Sequence, residues 1–402
     1  MFVLLAQFLS LFTLVWAFKR FMSKGDIGNI PGPKSESFIK GNMRQIFSAS
    51  SVGWEFHSMM SEQYGRVARL WAEISGDLRP KGHAPYICQG EIPCFPAKTI
   101  SCSSIDKDQV IYEETSSFFA RSIVLFGRGI FTTQGEPHKK QRKMLNPVFS
   151  IAYMRNMIPI FSDIAKKIEK AMKIKLAEAQ GAQEVDVLHW MSRAALEMIG
   201  QSGFGYSFDP LVEGAKPHPF CDAAKAFSLP QHSKLGLMEY LLPTIVKIGS
   251  PRFRRWLVDH FPSRRLRAYR DMVDTWHWTM TRIFEEKKRA LMEGDEALAN
   301  QVEQAKDLLS ILIKANIDAS EEDKVSDEEV LGQMSSFIFA ATDTTSNALS
   351  RTLHLLASQP EIQERLRAEV TEAREAHGGD IPYDDLVSLP FMDAVCRETL
   401  RL

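Results

Sequence analysis

Asp343 and Thr344 offer the clearest chemistry in this chain. They follow Phe337-Ile-Phe-Ala-Ala-Thr342, a run expected to be apolar on every side of a helix that crosses the centre of the domain. An acid beside an alcohol in such a setting can act as a proton relay. Ala340 and Ala341 precede Thr344 by four and three residues, so on a helix they share its face and leave a shallow notch where a flat ligand could approach the backbone. The Thr344 hydroxyl can bond back to the carbonyl of residue 340 and loosen the helix there. Two plainer accounts compete: alanines that permit close helix packing, and Asp343-Thr-Thr-Ser346 as the N-cap of a second helix. On composition alone the plainer accounts are preferred.

A second group is Glu398 and Arg401. Glu398 is in helical phase with Phe391, Val395 and Leu402, which predicts that it faces the core, where a carboxylate is costly unless paired. Arg401, three residues on, is the expected partner. An exposed pair would contribute only about 0.2–0.5 kcal/mol; the phase predicts a buried, structure-fixing pair. The third group lies in Gly135-Glu-Pro-His138-Lys-Lys-Gln-Arg142-Lys-Met-Leu-Asn-Pro147, where Pro137 suits a helix start. His138 and Arg142 are one turn apart on one face and, with Lys139 and Lys143, could hold anionic groups of a cofactor. Taken alone, the stretch reads as a basic exposed helix.

In this order the three groups resemble the cytochrome P-450 family of haem-thiolate monooxygenases. Ala340-Ala-Thr-Asp-Thr-Thr345 is similar to the family's A-G-x-D/E-T-T/S motif, Glu398-Thr-Leu-Arg401 to its E-x-x-R, and His138 to Arg142 to its W-x-x-x-R. The resemblance covers nearly the whole chain and is strongest to fungal microsomal members. It implies haem b as cofactor, with Asp343 and Thr344 delivering protons for oxygen activation and Ala340 and Ala341 beside the haem. It further implies that His138 and Arg142 hold the haem propionates and that Glu398 with Arg401 braces the haem-side core. An NADPH-dependent cytochrome reductase would supply electrons, and an apolar substrate would meet residues 116–129, 227–248 and the helix around Phe337 and Ala341.

The departures from the family pattern carry information. Ala341 stands where Gly is usual and narrows the notch by one methyl; His138 replaces Trp but still donates a hydrogen bond. None of Cys88, Cys94, Cys102, Cys221 and Cys396 has the neighbours of the F-x-x-G-x-x-x-C-x-G loop that carries the family's thiolate ligand. The axial cysteine is therefore expected beyond Leu402, no metal ligand is assigned within the chain, and the sequence is expected to be a fragment truncated at its C-terminus.

These groups need elements to position them. Ser326-Asp-Glu-Glu329 has capping-box form, and apolar or small residues recur behind it as far as Leu356, which predicts one long helix. Residues 158–179, 185–199, 270–292 and 301–317 are further amphipathic helices, the second ending near Gly200 and Gly203. Residues 66–71 give the best strand signal. Residues 73–104, rich in Gly, Pro, Cys and Lys, have no period, and are either a functional insertion or translated non-coding sequence. Seven arginines between Arg252 and Arg270 crowd around Phe253, Trp256, Leu257 and Phe261, a pattern suited either to a membrane surface or to a solvated face.

Met1 to Phe18 is almost wholly apolar and as a helix would span about 27 Å, close to a thin bilayer core. Lys19, Arg20 and Lys24 follow it, which predicts a single-pass anchor with the bulk of the chain cytosolic, at the endoplasmic reticulum membrane by family resemblance. The expected organisation is a transmembrane anchor (1–18), a Pro/Gly spacer (19–36) and a catalytic domain (37–402), mainly α with a small β-sheet. With Lys+Arg 49 against Asp+Glu 50, no global field argues for nucleic acid. Five cysteines without a C-x-x-C pair suit neither a disulfide framework nor a zinc tetrad, and none of the ten histidines lies in an H-E-x-x-H arrangement. By the family resemblance the chain is expected to be a haem-dependent monooxygenase; the alternative is a non-catalytic, membrane-anchored helical remnant unable to ligate haem.

Overall fold

The computed structural model describes residues 31–34, 36, 42, 45, 51–64, 68–69, 87–88, 116–178, 184–212, 218–226, 242–292 and 307–401. The chain divides into two units, residues 1–112 with 401–402, and residues 113–400. In the first, α1 (Ser51–Tyr64) precedes β1 (Ala68–Arg69) and β2 (Ile87–Cys88), which pair antiparallel with Ala68 opposite Cys88. β1 falls inside the strand expected at 66–71. β2 falls inside the aperiodic stretch 73–104, whose other residues lie outside the described residues, as do the anchor 1–18 and most of the spacer 19–36. Among the described residues no helix is long and apolar enough to cross a membrane.

Among its described residues the second unit has helices and no strand. Its helices are α2 (Ser116–Phe126), α3 (Gly135–Leu145), α4 (Ile151–Glu178), α5 (Val187–Phe204), α6 (Pro219–Ala226), α7 (Pro251–His260), α8 (Arg264–Met292), α9 (Leu308–Asp318), α10 (Asp327–Ser358), α11 (Pro360–Ala376), α12 (Tyr383–Val387) and α13 (Pro390–Arg401). α10 is the long helix that the capping box predicts. Ser326 Oγ accepts from the Glu329 amide, Glu329 Oε2 accepts from the Ser326 amide at 2.8 Å, and three acids occupy the first turn, where the helix dipole favours them.

α5 packs along α10, and the main core forms around the two: Leu196 and Phe204 from α5, Val330, Met334 and Ile338 from α10, and Phe220, Trp276, Met280 and Phe284 from α6 and α8. Each fully buried large apolar side chain contributes about 1.5–3 kcal/mol. α5 ends near Gly203 as expected, but Gly200 does not terminate it. Gly200 serves close packing instead, since a Cβ there would lie 2.6 Å from both Tyr206 O and the Phe208 ring. The helix ends at Gly205, whose φ of 60° is the left-handed cap that glycine allows.

Other helix boundaries move for similar local reasons. α4 begins at Ile151 rather than 158 and runs through Pro159; α8 begins at Arg264 rather than 270. α9 begins at Leu308 because Asp307 caps it, accepting from the Ser310 amide at 2.9 Å; residues 301–306 lie outside the described residues. The arginine-rich stretch resolves into α7 and the start of α8. Arg255 pairs with Asp274 at 2.6 Å and Arg270 with Asp259 at 2.9 Å, while Phe253, Trp256, Leu257 and Phe261 are exposed.

Buried polar groups tie these helices to the turns that follow them. Glu197, fully buried on α5, accepts the amides of Phe208 and Asp209 at 2.8 Å each and the Ser207 hydroxyl at 2.7 Å. Lys287 on α8 meets Asp307 at 2.7 Å, both buried. At the far end, Glu369 of α11 accepts the amides of Phe391 and Met392 and so caps α13. His377, beyond α11, contacts Ala373 O at 2.8 Å and Asp385 Oδ2 at 3.0 Å through its two ring nitrogens.

Two outcomes follow. Leaving the Phe208 and Asp209 amides unpaired costs about 1–3 kcal/mol each, so Glu197→Ala is expected to lower the unfolding free energy by about 3 kcal/mol or more in a urea titration. His377 can donate from both nitrogens only when protonated, and the Ala373 carbonyl, followed by Asp385, raises its pKa above the ordinary 6.5. Its stabilising contribution is complete below that ordinary value and fades as pH rises through the folded value. Stability measured between about pH 5 and 8 should therefore carry a falling component that His377→Gln removes.

Candidate active site

The arrangement around Thr344 follows from how α10 is buried. Ile338, Thr342, Ser346 and Leu349 recur on one face, and Ile338 and Ser346 are buried on it. At about 100° per residue, Gln333, Phe337, Ala340 and Thr344 recur on the opposite face. The expectation that 337–342 is enclosed on every side is therefore corrected: Ala340 and Ala341 are half-buried, and Asp343 and Thr344 are exposed. Beyond its first two turns the helix is covered mainly along one face, so an apolar composition does not enclose the other.

The predicted back-bond is present, with Thr344 Oγ1 donating to Ala340 O at 2.6 Å. Asn347 Nδ2 and Ser346 Oγ both donate to Asp343 O, at 2.8 and 3.0 Å. Three side chains thus bond to carbonyls of one turn, yet the helix continues unbroken to Ser358. The account of Asp343 to Ser346 as the N-cap of a second helix fails on that continuity. Aromatic rings flank the same stretch: Phe126 and Phe131 meet Phe339 at centroid distances of 5.1 and 6.3 Å, and Phe149 meets Phe337 at 6.1 Å.

α3 carries His138, half-buried, and Arg142, exposed, on one face. Its other side chains fasten it in place. Lys140 Nζ donates to the carbonyls of Glu322 and Lys324 at 2.6 Å each, Lys143 reaches Asp323 at 3.5 Å, and Gln141 Nε2 donates to Glu329 Oε1 at 3.1 Å. Lys139 pairs within its own helix with Glu136. The structure therefore spends two of the three lysines of this basic stretch on the loop before α10. It brings α3 to the first turn of α10, not to the turn of Thr344 itself.

Glu398 and Arg401 are corrected. Both are exposed on α13, and the buried residue of that helix is Thr399. α13 faces α11, where Arg365 lies 4.1 Å from the Phe391 ring centroid. Phe391, Met392, Val395 and Thr399 form its less exposed stripe, and Glu398 stands about 80° from the centre of that stripe. Phase with Phe391, Val395 and Leu402 placed it at the edge of that stripe rather than at its centre. Gln141 and Gln333, both fully buried, carry no marked signal in the sequence; the one faint sign is an uncharged amide inside the run Lys139-Lys-Gln-Arg-Lys143.

The comparisons with known proteins bear directly on this geometry. The family model described as Cytochrome P450 matches residues 105–402. This chain belongs to the cytochrome P-450 family. It is 42% identical to "Cytochrome P450 monooxygenase 91" of Postia placenta over 400 residues, covering 98% of this chain and 70% of that one. It is 41% identical to "Cytochrome P450 monooxygenase 81" of the same fungus over 389 residues, 97% of this chain and 67% of that one. "Ganoderic acid synthetase CYP5150L8" of Ganoderma lucidum is 39% identical over 389 residues, 96% of this chain and 67% of that protein.

The family's cofactor is haem, and the donors and surfaces of α3 and α10 fit it. An imidazole and a guanidinium on one helix face suit two carboxylates, and two adjacent alanines on a helix flanked by aromatic rings suit a flat apolar ring. Because Thr344 is exposed and its only described side-chain bond is local, Thr344→Val is expected to change the unfolding free energy by no more than about 0.5 kcal/mol. Thermal or urea unfolding checks this, and a larger loss would mark Thr344 as a structural residue.

Proposed function

We propose that the chain provides the oxygen-activating side of a haem-dependent monooxygenase that inserts one atom of dioxygen into an apolar organic substrate, with electrons from an NADPH-dependent reductase. The observation that carries the reading is the open face of α10, where the Thr344 hydroxyl bonds back to Ala340 O beside Asp343 and two alanines. Haem b, when bound, supplies the redox-active iron at which dioxygen is reduced.

The residues of this chain then have distinct tasks. His138 and Arg142 donate hydrogen bonds to the propionates and fix the ring's orientation. Ala340 and Ala341 let the ring approach the helix backbone. The Thr344 proton is committed to Ala340 O, so its lone pairs face the notch and accept a hydrogen bond there, holding a water or a reacting group in place. Asp343, exposed beside it, takes protons from solvent and passes them inward.

Phe126, Phe131, Phe149, Phe337 and Phe339 support an apolar substrate, as do Ile123 and Val124, which α2 leaves exposed. Of the stretch 227–248, residues 227–241 lie outside the described residues. Attachment to the endoplasmic reticulum membrane through residues 1–18, with the catalytic part cytosolic, is supported by the apolar run and the basic cluster that follows it. The proximal thiolate is assigned to a loop beyond Leu402, because none of the five cysteines up to that residue has the required neighbours.

The test is to read the full-length transcript through codon 402 and express its product with haem available. The expected product binds haem with a thiolate ligand, shown by the spectrum of its reduced carbon monoxide complex. Asp343→Asn and Thr344→Val should then lower product formation by about 10²–10⁴-fold with unfolding unchanged, the range for loss of a group that carries or positions a transferring proton. A product that holds no haem contradicts the proposal and leaves the non-catalytic remnant as the reading.

A further inference from the structure

The face of α10 that bears Ala340 and Thr344 is covered over its first two turns by one compact arrangement: the loop 127–134 and α3. Gly129 and Gly332 meet backbone to backbone; a Cβ on Gly129 would lie 2.4 Å from Gly332 O, and one on Gly332 would lie 2.4 Å from Gly129 N. Next to this contact, Gln333 Oε1 accepts from the Ile130 amide at 3.2 Å. Gln141 completes the arrangement from α3. Its Nε2 donates to Glu329 Oε1 at 3.1 Å and to Arg128 O at 3.4 Å, and its Oε1 accepts from Thr133 Oγ1 at 3.0 Å.

The loop has little freedom of its own. Thr132 Oγ1 reaches the carbonyls of Gly127 and Gly129 at 2.8 and 2.9 Å, folding the loop onto itself. Glu329, which receives Gln141, is also the acid of the capping box that starts α10. Burial alone would raise its pKa, but the Ser326 amide and Gln141 hold it below the ordinary carboxylate range, so it is an ionised anchor.

We infer that Gln141 and Gln333 are positioning residues for the cofactor: together with the Gly129–Gly332 contact they lock α3, and with it His138 and Arg142, in one register along the face of α10 that carries the notch. The inference rests on the haem reading of that face. An apolar side chain of the same length would bury equally well at either position but could slide, whereas hydrogen bonds of fixed length and direction define one register. Gln333 lies 11 residues before Thr344 on the same face, about 16 Å along the axis. Neither glutamine therefore touches the reacting groups, and each acts through the helix it fixes.

The experiment compares Gln141→Met and Gln333→Met with Tyr153→Phe in the product of the full-length transcript. Tyr153 is the control: it is buried in the apolar cluster that also holds Leu145 of α3 and Ile130 of the loop, but its hydroxyl donates to Ser202 O of α5, at 2.7 Å. In the haem-free protein, amide hydrogen exchange is expected to rise at residues 127–145 in both methionine variants and not in Tyr153→Phe. In the loaded protein, the methionine variants should lose haem to a scavenging globin about tenfold faster, the lower end of the effect of removing an outer-shell partner. They should also divert more electrons to peroxide per product formed. If at matched thermal midpoint the methionine variants retain haem as Tyr153→Phe does, the inference is overturned and the glutamines are ordinary buried polar groups. Unchanged exchange at 127–145 overturns the lock itself. A wild-type chain that takes up no haem overturns the functional reading and the cofactor role together, while a rise in exchange in that chain would still support the lock.

Discussion

The structure depends on α10 being buried along one face beyond its first two turns. α5 covers that face through Ile338 and its neighbours, and the main apolar core forms around the contact. A helix of 32 residues is long enough to run through the core and still present several turns elsewhere. One-sided burial separates two jobs. The covered face supplies stability through area removed from water, and the other face carries Ala340, Asp343 and Thr344, whose side chains contribute little to the core.

The contacts that fix this helix are polar wherever direction matters. Apolar packing tolerates sliding and repacking, so register falls to groups with directional bonds. The capping box fixes where α10 begins, Gln141 and Gln333 fix what lies beside its first turns, and Glu197 fixes the turn that leaves α5. Glycines appear where backbone meets backbone or ring, at Gly129, Gly332 and Gly200. The two alanines of the notch extend the same economy of volume toward a ligand.

Much of this was legible in the sequence because it is local. A capping box, a long apolar period and a threonine four residues after alanine are all properties of one helix, and α10 and its back-bond appear as those signals predict. What could not be read depends on neighbours. Phase placed Glu398 near the apolar stripe of α13, but only the approach of α11 decides where the centre of that stripe lies. The run 270–292 begins earlier than its periodicity shows because the mostly polar residues 264–269 continue the helix without marking it. Gln141 looked like part of a basic surface, and its burial is set by Glu329, 188 residues away.

The central claim, that the open face of α10 is a haem face with α3 holding its charged edge, is tested most directly by hydrogen exchange on the full-length transcript's product with and without haem. The account predicts added protection at residues 337–347 and 138–145, and none along α5 at 190–202, which α10 already covers. Protection confined to other segments, or none on addition of haem, would contradict it.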